Sequence, residues 1–176
     1  LQIGGSDQWG NMTAGLELIR RKGGEETAFT LTTPLVTKSD GQKFGKTESG
    51  TIWLDAEKTT PYELYQFFLN TSDADVVKFL KYFTFLSHDD INRLEEKVKT
   101  EPEKREAQRT LAEEVTKLVH DEHAMHQAIR ISEALFGGNV SDLSAEEIRQ
   151  GFKDVPSYEV EDKRDIGIVD LLVDAG

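Results

Sequence analysis

The sequence predicts an α/β portion followed by an all-α portion, predominantly α overall, and three observations carry that expectation. Composition shifts near residues 55 to 60: the first part is rich in Gly, Thr and short apolar runs, whereas Thr51 to Phe136 holds no glycine. Three Ser/Thr-x-x-Glu boxes mark helix starts in the second part: Thr60-Pro-Tyr-Glu63, Thr100-Glu-Pro-Glu103 and Ser144-Ala-Glu-Glu147. In such a box the hydroxyl and the carboxylate satisfy orphan amides of the first turn. Charge divides at the same place, with 7 basic and 8 acidic residues in the first 60 against 14 and 25 afterwards.

Leu1 to Ile3 reads as a short strand and Gly4 to Gln8 as a turn. Trp9 to Lys22 reads as a helix, with Met12, Leu16 and Ile19 at helical spacing and Gly23-Gly24 as its stop. Ala28 to Thr33 is β-rich, and Ile52-Trp-Leu54 is expected to form another short strand. Strand, turn, helix, strand, glycine-rich loop, strand is the order found late in an α/β nucleotide-binding unit, where ligands sit at strand C-termini and helix N-termini.

Beyond Thr60, Asp73 to Phe85 carries Val76, Val77, Leu80 and Phe83 on one helical face, and Ser87-His-Asp-Asp90 opens a helix to about Lys99. From Glu103 to Phe136 the residues Ala107, Leu111, Val115, Leu118, Met125, Ile129 and Phe136 recur at steps of three and four or their multiples. That pattern allows one helix of roughly 50 Å at about 1.5 Å per residue. Gly137-Gly138 ends it, Asn139 to about Ser157 holds a capped short helix, and Tyr158 to Asp165 reads as a linker.

At 176 residues the chain fits one domain or one and a fraction. Its net charge of −12 excludes a general nucleic-acid coat, which needs cations against phosphates. Apolar residues at 37% exclude an acidic disordered tail. The absence of cysteine removes disulfides, thiolate nucleophiles and Cys-based zinc sites. No apolar run approaches the roughly 18 to 20 residues of a membrane span, so no membrane partner and a cytoplasmic location are expected. Leu1 in place of Met, and an apolar helical stretch from Ile166 to Gly176 with nothing after it to cover it, are read as signs of a fragment.

Two segments could carry chemistry. Gly41-Gln-Lys-Phe-Gly-Lys-Thr47 superficially matches a P-loop, but three residues separate its glycines where four are needed. What remains is a glycine-bearing loop with Lys43 and Lys46 three apart and the Thr47 hydroxyl beside the second. Two ammonium groups held that way can follow charge developing on a polyphosphate leaving group. The loop from Ser39 to Gly50 is expected to be mobile without a ligand, with little apolar anchoring. The plain alternative is a solvated surface loop. Gly4-Gly-Ser-Asp-Gln-Trp-Gly-Asn11 lies at the strand-to-helix turn, where glycine admits a ligand and helix amides favour an anion. Asp7 can accept from ribose hydroxyls or an ammonium group, and Gln8 can donate to a carbonyl or phosphoryl oxygen. The plain alternative for Asp7 is helix capping.

Together these segments resemble bacterial-type tyrosyl-tRNA synthetase. Gly5-Ser-Asp-Gln8 followed by Trp-Gly-Asn is similar to that family's second substrate-binding signature. Lys43-Phe-Gly-Lys-Thr47 is similar to its form of the Lys-Met-Ser-Lys-Ser loop of class I synthetases. Thr33-Pro-Leu-Val36, Glu48 to Trp53 and Lys153-Asp-Val-Pro156 also fit, so the resemblance covers essentially the whole chain.

The resemblance implies three regions: the C-terminal part of a Rossmann-type catalytic domain over 1–57, a helical anticodon-side domain over 58–153, and over 154–176 a linker with the start of a truncated C-terminal RNA-binding module. It implies activation of tyrosine by ATP with Mg²⁺ to tyrosyl-adenylate, then transfer of tyrosyl to the 3′ end of tRNA(Tyr) by a parent homodimer. Carried over by position, Gly5 and Asp7 lie at the ribose and Leu35 and Val36 beside adenine. Gln8 lies at the tyrosine carboxyl or α-phosphate, and Gln2 lines the tyrosine pocket. Lys43, Lys46 and Thr47 hold the leaving pyrophosphate. The family's His-x-Gly-His signature does not occur in this sequence, so the chain alone is expected to be inactive.

The alternatives are a tryptophanyl-type synthetase, a P-loop-like phosphotransferase fragment, whose sign would be a helix beginning at Lys46, and a noncatalytic helical module binding RNA or protein. His120, His123 and His126 fan around a helix at about 100° per residue and do not converge on a metal. His126 is expected to pack and His120 to be solvated. Tyr62, Tyr65, Phe67, Phe68, Tyr82, Phe83 and Phe85 are expected to pack where the helical part meets the α/β part.

Overall fold

The computed structural model describes residues 1–23, 27–39, 41, 44–47, 50–153, 167, 169 and 173. Strand β1 (Gln2–Gly5) runs through a 3₁₀ turn at Ser6–Gln8 into helix α1 (Trp9–Lys22), and β2 (Thr30–Thr33) returns parallel to β1. The register sets Ile3 opposite Leu31 and Gly5 opposite Thr33. Met12 is buried beneath this crossover, its Sδ 3.1 Å from where a Cβ on Gly4 would lie. The other face of the ladder, with Leu1, Ile3, Phe29 and Leu31, is exposed.

Strands β3 (Lys46–Thr47) and β4 (Gly50–Thr51) form an antiparallel pair with Lys46 opposite Thr51. The expected strand Ile52–Leu54 is therefore corrected: the strand ends at Thr51, with one further backbone bond from the Ile52 N–H to the Gly45 carbonyl at 3.2 Å. The Trp53 N–H donates to the Oγ1 of buried Thr59 at 3.0 Å, which draws the chain towards the next helix cap instead of along a ladder.

The remainder is helical: α2 (Pro61–Leu69), α3 (Asp73–Phe83), α4 (His88–Thr100), α5 (Glu106–Val119), α6 (Glu122–Leu135) and α7 (Ala145–Gly151). Helix α5 is the hub, packed by α2, α3, α4 and α6, while α7 packs on α6. Leu64, Leu80, Leu94, Leu111 and Ile131 are fully buried there. Both the Thr60 and Ser144 boxes form, each hydroxyl accepting from the third helical N–H and each Glu accepting in return.

The Thr100 box does not form. Its hydroxyl donates back to the Glu96 carbonyl at 2.9 Å, so α4 continues through Thr100. Glu101 is clamped by Lys97 and Lys104, each at 2.8 Å. Arg105 then starts α5 and donates to the Leu69 and Thr71 carbonyls at 2.7 and 3.2 Å, serving the carbonyl end of α2. The single long helix is corrected to two, because Asp121 accepts from the Ala124 N–H at 2.7 Å and caps a new start. The histidine expectations also reverse. The His126 side chain is 64% exposed, whereas His120 at the α5–α6 corner has a buried Nε2 with no hydrogen-bond partner among the described residues. Burial pushes the His120 imidazole down, against the opposing charge of Asp121.

Candidate nucleotide-facing site and its tether to the helical part

Parallel pairing of β1 and β2 places Gly5 and Thr33 at the same end of the ladder, so the turns that follow both strands meet there. A Cβ on Gly5 would lie 2.6 Å from Asp7 Oδ1 and 3.1 Å from Leu35 Cδ2, so any other residue there would push these side chains aside. The Gln8 amide donates to Asp7 Oδ2 at 3.3 Å, and Asn11 donates to Gln8 Oε1 at 3.1 Å. No side chain caps α1 or the 3₁₀ turn before it, so Asp7 is not used as a helix cap. An exposed carboxylate, an exposed amide and the uncapped start of a 14-residue helix thus share one strand end.

Gln2 lies at the opposite end of β1, about 10 Å along the strand from Gly5 at roughly 3.3 Å per residue. Val36 packs against the helical core, and its carbonyl accepts the Phe44 N–H at 3.2 Å. Lys43 lies outside the described residues, and for Lys46 and Thr47 only the strand position is described. Because Lys46 begins a strand, the phosphotransferase alternative, which needs a helix there, is overturned.

The expectation of little apolar anchoring in the lysine loop is corrected by Phe44. Its ring centroid lies 4.8 Å from Phe79, 4.9 Å from Phe83, 5.5 Å from Phe67 and 5.9 Å from Phe68. Edge and stacked contacts of this kind add to apolar burial. Phe67, Phe68 and Phe83 thus pack at the junction as expected, while Phe85 is exposed.

The stem entering the loop is held by a carboxylate that sequence reasoning did not single out. Asp75, in the first turn of α3, accepts on Oδ2 from the Ser39 N–H at 3.0 Å, the Ser39 hydroxyl at 3.0 Å and the Ser72 hydroxyl at 2.9 Å. Lys78 Nζ lies 3.1 Å from Asp75 Oδ1 and also donates to the Thr37 carbonyl. Burial opposes ionisation of Asp75, but these bonds outweigh it and hold the carboxyl down at about 2. Ser72-x-x-Asp75 would have marked a helix start, and nothing in the sequence pairs it with Ser39, 36 residues away.

At the other end of the helical part, buried Glu147 accepts the Ser144 N–H at 2.8 Å and pairs with Arg130. The backbone bond first, then Arg130, bring its carboxyl to about 2. For Asp75 and Glu147 the folded value lies below the ordinary range near 4, so the stability they confer is present above about pH 4. It is lost as pH falls through about 2. Acid titration followed by far-UV circular dichroism should therefore show a shallower loss between these limits for Asp75→Asn and Glu147→Gln. An unchanged acid limb in both variants would assign acid lability to other groups.

Residues 1–137 match the family model described as tRNA synthetases class I (W and Y). Tyrosine–tRNA ligase of Geobacillus stearothermophilus is 68% identical over all 176 residues, which make up 42% of that protein. Tyrosine–tRNA ligase 1 of Bacillus subtilis (strain 168) is 65% identical over 174 residues, 98% of this chain and 41% of that protein. The chain thus spans well under half the length of these relatives. Among solved structures, a C-terminally truncated Aspergillus nidulans mitochondrial tyrosyl-tRNA synthetase is 33% identical with a TM-score of 0.64. That match covers 77% of this chain and 39% of the other. No helix among the described residues is long and apolar enough to cross a membrane. By the match over residues 1–137, this chain belongs to the class I tRNA synthetases of the W and Y branch.

Proposed function

We propose that the full-length protein carrying this chain is a tyrosine–tRNA ligase, which activates tyrosine with ATP·Mg²⁺ and transfers tyrosyl to the 3′ end of tRNA(Tyr). The observation that carries this reading is the convergence of Gly5, Asp7, Gln8 and Leu35 at one strand end before an uncapped helix. The 68% identity to a tyrosine–tRNA ligase supports the same choice over the tryptophanyl branch.

In this reading residues 1–57 are the C-terminal part of a Rossmann-type catalytic domain and residues 58–153 the helical domain. Residues 154–176 lead into an RNA-binding module. Asp7 accepts hydrogen bonds from the ribose, close to Gly5 because no side chain intervenes there, and Leu35 and Val36 flank the base. Gln8 donates to the tyrosine carboxyl or the α-phosphate, and Gln2 lines the tyrosine pocket. The open start of α1 favours the anion, and Lys43, Lys46 and Thr47 hold the departing pyrophosphate. Magnesium enters with the nucleotide as part of the substrate. The enzyme acts as a cytoplasmic homodimer.

Tyrosine-dependent ATP–pyrophosphate exchange by the full-length protein tests the proposal. Exchange with tyrosine and not tryptophan is expected, and exchange with tryptophan alone, or with neither, would overturn it. The 176-residue chain alone is expected to show no exchange above background, because groups are needed on both sides of the α-phosphate.

A further inference from the structure

We propose that Asp75 is a positioning residue for Lys46, holding the stem of the lysine loop on the helical part through Ser39 and Thr37. The inference rests on the function proposed above.

The described contacts form one continuous path. Asp75 takes two bonds from Ser39, and its partner Lys78 takes the Thr37 carbonyl. One residue earlier, the Val36 carbonyl accepts the Phe44 N–H at 3.2 Å. Phe44 is seated among four rings of α2 and α3, and only Gly45 separates it from Lys46. The stem and the start of β3 are thus held against α2 and α3 as well as by their chain connection to β2.

Helix capping alone does not account for the carboxylate. The Asp75 side chain is 5% exposed, and a buried ionised carboxylate is costly unless several donors surround it. Two of those donors come from Ser39, outside the helix, so the charge is matched to the stem as well as to α3. A lysine that follows leaving-group charge is sensitive to such support, since misplacement by about 1 Å can cost on the order of 10²-fold in rate.

The test is a double-mutant cycle in the full-length enzyme, reading pyrophosphate-exchange kcat and KM for ATP, with tyrosine affinity measured separately at equilibrium. Asp75→Asn is expected to lower kcat about tenfold while tyrosine affinity stays within about twofold. In a Lys46→Ala background the same change should cost less than about twofold, because the residue it positions is gone. Ser39→Ala, which removes only the hydroxyl bond and leaves Asp75 bonded to the Ser39 N–H and Ser72 and ion-paired with Lys78, should show the same pattern more weakly. It decides the matter if Asp75→Asn does not fold. Full multiplicative losses in the Lys46→Ala background, parallel loss of tyrosine binding, or unchanged exchange in the folded variants would each overturn the role of Asp75. A Lys46→Ala enzyme with undiminished exchange would instead overturn the functional reading beneath it.

Discussion

Replacing Lys46 by alanine in the full-length enzyme is expected to slow tyrosine-dependent pyrophosphate exchange by about 10²–10³-fold, the usual cost of removing one donor aimed at transition-state charge. Tyrosine affinity should stay within about twofold, because negative charge on the leaving pyrophosphate grows only as the bond to the α-phosphorus breaks. Lys46 occupies a strand position opposite Thr51. Exchange kinetics and equilibrium tyrosine binding on the same preparation check the claim. Equal losses in both would show that Lys46 acts on structure and not on the departing group.

Much of this molecule is written locally. Thr60 and Ser144 announce their helices because a capping box lies within four consecutive residues. The Gly5-Ser-Asp-Gln8 run is equally local: strand end, turn and helix start follow one another, and the side chains meet as the chain order suggests. The misreadings arise where a local pattern has two solutions. A seven-residue step from Leu118 to Met125 fits a continuous helix, but it also spans the corner at which Asp121 restarts the chain as α6. Thr100 has the right neighbours for a cap, yet its hydroxyl finds the Glu96 carbonyl first. His120 and His126 exchange their expected environments because their burial was inferred from one continuous helix.

The tether between loop and helices was illegible for a different reason. Asp75 and Ser39 become partners only when the helical part folds against the stem, and neither residue carries a pattern that names the other. Phe44, in a loop expected to have little apolar anchoring, is an anchor for the same reason: its four ring partners lie 23 to 39 residues further along the chain. Sequence signatures thus expose candidate ligand-facing groups more readily than the contacts that hold those groups in place.

Phe44→Ala is accordingly expected to destabilise the folded chain by about 2–3 kcal/mol, below the usual range for a fully buried Phe because this ring is only partly buried. The loss has two sources. Contacts with Phe67, Phe68, Phe79 and Phe83 disappear together, and the apolar groove of about 360 Å³ beside them, lined also by Ile52, Leu54, Val115 and Leu118, is widened. Helices α2 and α3 do not close over the gap easily, because α5 packs against both. Phe44→Leu should recover most of the stability, since it restores apolar volume without the ring geometry. Urea unfolding of all three proteins, followed by far-UV circular dichroism, measures the difference. A loss below about 0.5 kcal/mol for the alanine variant, the range of an ordinary surface change, would mean that the loop rests on the helices without being held by them.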